Sequence, residues 1–460
     1  MEPIVKAIDD FNFLKLICFK DFYQWDVKRY LSSHLSFNYP SVKISEITNL
    51  YKLPIIIDDD KKYKRVTVKL HGQGAVLRDV EFGRNIKTKS QFLIKNGQFI
   101  LSKIDARNGA FGVVSEELDG AIITNSFSVY DLDTTKVLPQ YLMLIMTTDY
   151  FVKLCEGVSK GTTGRRNITD ENFLSFEIPL PSLTEQEEIL AEYNAKMRES
   201  ERLENELNKF DENYENTLFE LLGITKIPLK AASNSLQFIN LVNTSRWGYQ
   251  YLLNHEQSEK LLDTKKYPQK LLSSLVLLNP TTSFKELKKD DKISFLPMEC
   301  VSDLYGEVIE YREGDVKSSG GYTKFQEGDL LWSKITPCMQ NGKSCIVENL
   351  ESGFGYGSTE YHVIREKEDS EIYLRFLYHI LRTKYVLTNA TFHFTGSAGQ
   401  QRVPIEFLAN LNVPLPSIDE QKEISKELDE LIADRKVKQV KLTELKQQAI
   451  KDFEAKIFKN

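Results

Sequence analysis

The chain has 460 residues, 41% hydrophobic and 27% charged, with a formal net charge of −6. That leaves room for two or three domains with proper cores and is ordinary for a soluble globular protein. No apolar run reaches membrane-spanning length, and the N-terminal MEPIVKAIDDFNFLK lacks the basic–apolar–small order of a secretory signal, so a cytoplasmic protein without membrane contact is expected. The five cysteines (Cys18, Cys155, Cys300, Cys338, Cys345) form no C-x-x-C pair and no Cys/His metal spacing, and they read as reduced, mostly buried thiols. Net acidity argues against a nucleic-acid partner only until the charge is located. Residues 184–222 carry 12 acids against 4 bases, which leaves the remainder of the chain at +2. That remainder holds basic clusters such as Lys61-Lys62-Tyr63-Lys64-Arg65 and Gly164-Arg165-Arg166-Asn167, so net acidity does not exclude a local cationic groove.

In chain order, residues 1–182 mix short β-rich runs with helical patches. Strands are predicted at 65–70 (RVTVKL), 98–103, 120–131 and 177–180, and a helix at 141–156 packed behind the sheet. At PLPS (179–182) the pattern changes from β to helix. Ser182 and Glu185 have the spacing of a capping box, in which serine satisfies a free backbone N–H and glutamate reaches back. The helix then runs to about residue 222 without proline or glycine, roughly 58 Å at 1.5 Å per residue. Residues 226–417 repeat the mixture, with strands at 329–334 and 411–415 and a helix at 372–387. A second PLPS, a second capping box (Ser417, Glu420) and a helix to about residue 459 follow. From Ile189 a heptad passes through Tyr193, Lys196, Ser200, Leu203, Leu207, Phe210, Tyr214, Thr217 and Leu221. Shifted by 235 residues, the same register passes through Ile424, Leu428, Leu431, Arg435, Lys438, Leu442, Leu445, Ala449, Asp452 and Lys456. Two such helices in one chain pack most simply on each other, antiparallel because each must lead away from its own domain.

The chain repeats itself. Residues 161–189 and 396–424 align without a gap and are identical at 11 of 29 positions. Upstream, GQFILSKI (97–104) answers GDLLWSKI (328–335), Asn108-Gly109 answers Asn341-Gly342, Tyr141-Leu142 answers Tyr373-Leu374, Tyr39-Pro40 answers Tyr267-Pro268 and Trp25 answers Trp247. Copies of roughly 200 residues are whole domains, not solenoid units. The expected class is α+β: two β-rich domains in pseudo-twofold tandem repeat, joined by two long antiparallel coiled-coil helices. The expected boundaries are 1–182, 183–225, 226–417 and 418–460.

Catalytic motifs are missing. The sequence has no G-x-x-x-x-G-K-[ST] phosphate loop, no [N/D]-P-P-[Y/F] tetrapeptide, no HExxH and no His-x-Glu pair, so no active site is expected. GFGYG (353–357) lacks the strand-to-helix setting of a dinucleotide loop and reads as turn residues, and His255-Glu256 reads as a surface pair.

The runs YKRVTVKLHGQGAVLRD (63–79) and GQFILSKIDARNGAFGVV (97–114), with the doubled PLPS-x-x-EQ before long helices, resemble the specificity (S) subunits of type I restriction–modification systems. The resemblance covers the whole chain: target recognition domain, central helical region, second recognition domain, C-terminal helical region. It implies a non-catalytic subunit that binds one bipartite, asymmetric double-stranded DNA target and holds two methyltransferase (M) subunits, with restriction–translocase (R) subunits joining for cleavage. S-adenosylmethionine, Mg²⁺ and ATP would belong to those partners, with no cofactor in this chain. The copies diverge at SKITPCMQNGKSCIV (333–347) and at Gly399-Gln400-Gln401-Arg402 against Gly164-Arg165-Arg166-Asn167. Divergence there is what separate half-sites require.

Reading a base edge takes multi-donor side chains: Arg or Lys for guanine, Asn or Gln for adenine, and any cation or N–H for phosphate. Three loops per copy fit. In the first, the candidates are His71 and Gln73; Lys103, Arg107 and Asn108; and Arg165, Arg166 and Asn167. In the second they are Lys334, Gln340, Asn341 and Lys343; His362; and Gln400, Gln401 and Arg402. Lys103 and Lys334 are common to both copies, which favours a role in the fold or at phosphate, and the residues that differ are better suited to bases. Two rivals share the fold: the recognition subunit of a related type II restriction–methylation enzyme, and a protein-binding coiled-coil scaffold.

Overall fold

The computed structural model describes residues 36–158, 167–228, 251–252, 260–397 and 400–459. Cys18, Trp25, Arg165, Arg166, Trp247 and the pair His255-Glu256 lie outside the described residues. By spatial proximity the chain divides into two compact units, 1–202 with 442–460, and 203–441.

The first unit runs β1 (Ser41–Lys43), β2 (Thr48–Tyr51), β3 (Leu53–Ile56), β4 (Lys62–Val68), β5 (Ala75–Phe82), β6 (Ser90–Leu93), β7 (Phe99–Ser102), β8 (Phe111–Val113), β9 (Ile122–Ile123), β10 (Phe127–Leu132), α1 (Pro139–Thr147), α2 (Asp149–Val158), β11 (Glu177–Pro179) and the start of α3 (Leu183–Asn208). β2-β10-β7-β8 form one sheet, β3-β6-β9-β4-β5 a second, and β1 pairs with β11. Fully buried Phe99, Phe111, Tyr141, Phe151 and Phe173 fill the space between the first sheet and its helices.

The second unit begins in the last residues of α3 and continues as α4 (Phe210–Leu222), β12 (Gln269–Leu271), β13 (Val276–Leu278), β14 (Lys292–Leu296), β15 (Arg312–Asp315), β16 (Thr323–Gln326), β17 (Leu330–Ser333), β18 (Ser344–Ile346), β19 (Phe354–Gly357), β20 (Tyr361–Glu366), α5 (Leu374–Leu381), α6 (Lys384–Thr391), β21 (Asn412–Pro414) and α7 (Ile418–Ile457). Its sheets are β13-β20-β17-β18, β15-β14-β19-β16 and β12-β21. The order repeats that of the first unit, down to a parallel pair in each second sheet (β4 with β9, β14 with β19), except that the first unit adds β3 at one edge. Registers agree too: Phe127 faces Ser102 across β10 and β7, and Tyr361 faces Ser333 across β20 and β17.

Both capping boxes form. The Ser182 N–H donates to Glu185 at 2.8 Å and the Ser417 N–H to Glu420 at 2.9 Å, and these bonds, with those from the serine hydroxyls, hold both carboxyls below their usual range. One residue further on, a buried glutamine moors each helix to its own sheet domain. Gln186 accepts from Leu138 N and donates to the carbonyls of Lys136 and Pro181, while Gln421 accepts from Tyr373 N and donates to those of Glu371 and Pro416. Gln186→Leu strands one buried and two part-buried backbone groups, so it should lower the urea-unfolding stability by about 2 kcal/mol.

Every heptad position named above on α3, α4 and α7 is buried or half-buried. In the first unit Glu192 pairs with Lys456 and Lys196 with Asp452; in the second, Glu206 pairs with Lys438 and Asp211 with Arg435. Numbers rise on one helix as they fall on the other, so within each unit the paired segments run antiparallel. Gly223 ends α4 at φ +67, a left-handed turn that glycine adopts without a Cβ clash.

Five expectations need correction. The helix foreseen over 141–156 is two helices, broken at Thr148, and that over 372–387 is broken around Thr383. Thr383 caps α6 by accepting from Val386 N, and Thr148 holds the corresponding place before α2. The strand foreseen over 120–131 is β9 and β10, which belong to different sheets. The helix foreseen from 183 to 222 is interrupted at Lys209. GFGYG is a turn only at Gly353 (φ +72), and Phe354–Gly357 is strand β19. A Cβ at Gly355 would lie 2.2 Å from the Phe325 ring, and one at Gly357 2.2 Å from the Leu296 carbonyl, so these glycines admit close neighbours.

Candidate nucleic-acid interface

In the first unit the backbone gathers the three candidate loops. His71 N donates to Asn108 O and Gly72 N to Gly109 O, both at 2.8 Å, and Ile168 N donates to Lys103 O at 2.9 Å. A Cβ on Gly109 (φ +77) would sit 2.8 Å from Gly72 N, so only glycine lets these two loops meet. His71, Gln73, Asn108 and Asn167 are exposed and Arg107 is half-buried. Lys103 is largely covered, its ammonium 3.6 Å from Asp170, which also receives Lys52 at 3.7 Å and the hydroxyls of Ser128 and Tyr130. Burial opposes ionisation of Asp170, but the Ser128 bond and the Lys103 charge outweigh it and keep the carboxyl below its usual range. Arg165 and Arg166 lie outside the described residues.

The second unit repeats the interlock. Val403 N donates to Lys334 O at 2.8 Å and Thr336 N to Gln401 O at 3.0 Å, bringing the 334–343 and 400–402 loops together. Gln340, Asn341 and Gln400 are exposed, and Gln401 is half-buried. Burial depresses the Lys334 ammonium, with the Glu360 charge opposing that shift and Arg402 adding to it.

Three candidates prove unsuited to reading a base. His362 lies on β20 rather than in a loop, and it is 4% exposed. Its Nε2 donates to Val403 O at 2.9 Å, its Nδ1 accepts from Asn279 Nδ2 at 3.2 Å, and its ring stacks on Trp332. Arg402 spends its fork on Glu360 at 2.8 and 2.7 Å, and that bond holds the Glu360 carboxyl below its usual range. Lys343 donates to Met298 O at 3.0 Å. The acids that engage the candidates, Asp170 and Glu360, come from non-corresponding positions of the two copies. No spacing in the sequence announces them.

Among the described residues no group of His, Cys, Asp or Glu could hold a metal ion, and no helix is long and apolar enough to cross a membrane. Cys155, Cys300 and Cys345 are buried.

Fold and loops together define a duplicated, loop-bearing recognition scaffold. The family described as "Type I restriction modification DNA specificity domain" matches residues 37–209 and again 273–447, and the chain belongs to that family. It is 36% identical over 156 residues to the type I restriction enzyme EcoEI specificity subunit of Escherichia coli, and equally so over 156 residues to the EcoAI specificity subunit of the same organism. Those alignments cover 33% of this chain and 25% and 26% of the two relatives. A solved structure from work on complex assembly and conformational transition of the type I R-M system superposes with a TM-score of 0.55 at 16% identity, over 92% of this chain and 98% of that one.

Proposed function

We propose that this chain is the DNA sequence-reading subunit of a type I restriction–modification complex, binding a bipartite asymmetric duplex target with one half-site per unit. The observation that carries the reading is the interlock of candidate loops onto a shared lysine strand in each unit, with exposed side chains that differ between the copies. The paired helical segments act as a coiled-coil spacer between half-sites about one DNA turn apart, roughly 34–36 Å. Their outward faces, with the adjoining domain surfaces, receive two M subunits, and R subunits join through these. The chain itself is non-catalytic, so S-adenosylmethionine, Mg²⁺ and ATP are held by the partners, in the cytoplasm of a prokaryote. The domain boundaries that go with this reading are 1–182, 183–225, 226–417 and 418–460.

A mobility-shift assay with the M subunit present, on a duplex library randomised in both half-sites and in spacer length, tests it. The expected result is a salt-sensitive shift that enriches two unlike half-sites at one spacing. No sequence-selective shift across the library would leave the protein-binding scaffold as the better reading, and a nuclease co-purifying in place of a separate R subunit would favour the type II relative.

A further inference from the structure

Each unit carries a cavity, of about 490 Å³ in the first and about 330 Å³ in the second, and the two share a pair of lining positions. Strand register makes the correspondence. Phe127 and Tyr361 face Ser102 and Ser333 in the two units, and each lines its cavity. In the neighbouring sheets Phe92 faces Ile123 as Thr323 faces Gly357. Gln91 on β6 and Tyr322, the residue before β16, therefore hold equivalent lining positions, while the rest of each lining is its own: β4 and residues 85–88 in the first unit, residues 279–282 and Lys334 in the second.

Neither lining contains an aspartate or glutamate, although the chain has 66 acids against 60 bases. Three other cavities of the second unit all include carboxylates: Asp211 and Asp303 in one, Glu307 and Glu310 in another, Asp429 and Glu430 in a third. A surface that meets a polyanion must exclude acids and offer donors. The first cavity offers Arg78 and Lys87, both exposed, while Asn85 donates to Glu81 at 2.7 Å, and the second cavity offers Tyr322, Lys324 and Lys334. Asp79, beside the first cavity, already takes a two-pronged bond from Arg65 at 2.6 and 2.7 Å, so Arg78 spends only its Nε there, at 3.3 Å. Lys87 has no ion pair among the described residues, and Lys324 rests over the Phe284 ring at 4.7 Å instead of on an acid.

We propose that these acid-free cavities are the base-reading surfaces of the two units, a step that rests on the DNA-reading function above. Arg78 and Lys87 set the preference for one half-site, and Tyr322 and Lys324 that for the other. The glycine-bounded loops hold phosphate. Donors drawn from different strands of the two units let one fold read two words: a guanidinium or ammonium selects guanine, and an exposed tyrosine selects through its hydroxyl and by contact with a thymine methyl.

The test uses the full chain with its M subunit and selection from a randomised duplex library, for wild type, Arg78→Gln/Lys87→Gln and Lys324→Met, the last keeping its stem over Phe284. Melting temperatures near that of wild type establish that the variants fold. The expected result is a loss of about tenfold or more in affinity, with relaxed base preference, confined to one half-site for the first variant and to the other for the second. Wild-type selection by both variants, with preference lost instead in Gln73→Ala or Asn341→Ala, would overturn the cavity assignment and leave DNA reading intact. A uniform loss across all sequences with preference unchanged would reduce these residues to phosphate contacts and also overturn it. Failure of the wild-type complex to select any sequence would overturn the reading beneath it.

Discussion

Arg365→Ala is expected to destabilise the second unit by about 3–5 kcal/mol, the cost of leaving a buried carboxylate without its partner. Asp329 is 1% exposed and receives the Arg365 fork at 2.7 Å from both Nε and Nη2. The same Nη2 reaches Thr282 Oγ1 at 2.7 Å, and Asp329 accepts Gln326 N at 2.8 Å, so one guanidinium ties strands β17 and β20 to the segment after β13. At the corresponding place in the first unit, Gln98 donates to Asp131 at 2.7 Å with no cation involved. Gln98→Leu should therefore cost less, about 1–2 kcal/mol. Urea unfolding followed by circular dichroism checks both, with hydrogen exchange locating the loss. Equal stability of Arg365→Ala and wild type would mean the pair is not desolvated as described. The double change Asp329→Leu/Arg365→Met should recover most of the loss, because the penalty lies in the orphaned charge and not in the missing bond.

Acidification is expected to weaken the second unit through His362. Burial pushes its imidazole down to about 4, partly offset by the bond to Val403 O, from an ordinary value near 6.5. The folded histidine stays neutral over a range in which the unfolded chain takes up a proton, so the stability it contributes is complete above about pH 6.5. It is lost progressively as the pH falls to about 4, roughly 2 kcal/mol of it by pH 5. His379, buried beside Tyr214 and Asp429, is depressed mainly by burial and acts in the same direction. His362→Gln should thus flatten only part of the slope of stability against pH between 7 and 5. A variant with the full wild-type slope would show that His362 is not the group that titrates.

Legibility followed range along the chain. The capping serines and the strand-to-helix change at each PLPS were read correctly because each rests on residues within one helical turn, where spacing alone sets the geometry. The same kind of signal was present and missed at Thr148 and Thr383, threonines 235 residues apart that begin new helices inside apolar runs. GFGYG misled because glycine marks both a turn and a strand under close approach, and only the Phe325 ring and the Leu296 carbonyl decide which.

Among the candidate interface residues, chemistry named donors but not their commitments. His362 and Arg402 are the right residue types, yet one faces a carbonyl in the core and the other a carboxylate 42 residues away. What the sequence alone determined was the duplication, the capped starts of the two long helices, and membership of a duplicated recognition family. These follow from local periodicity and from identities between the copies. Which donors remain exposed, and which of them line the two acid-free cavities, was decided only by the tertiary structure. Strand pairing between residues far apart in the chain sets which charges neutralise one another and which are left facing solvent.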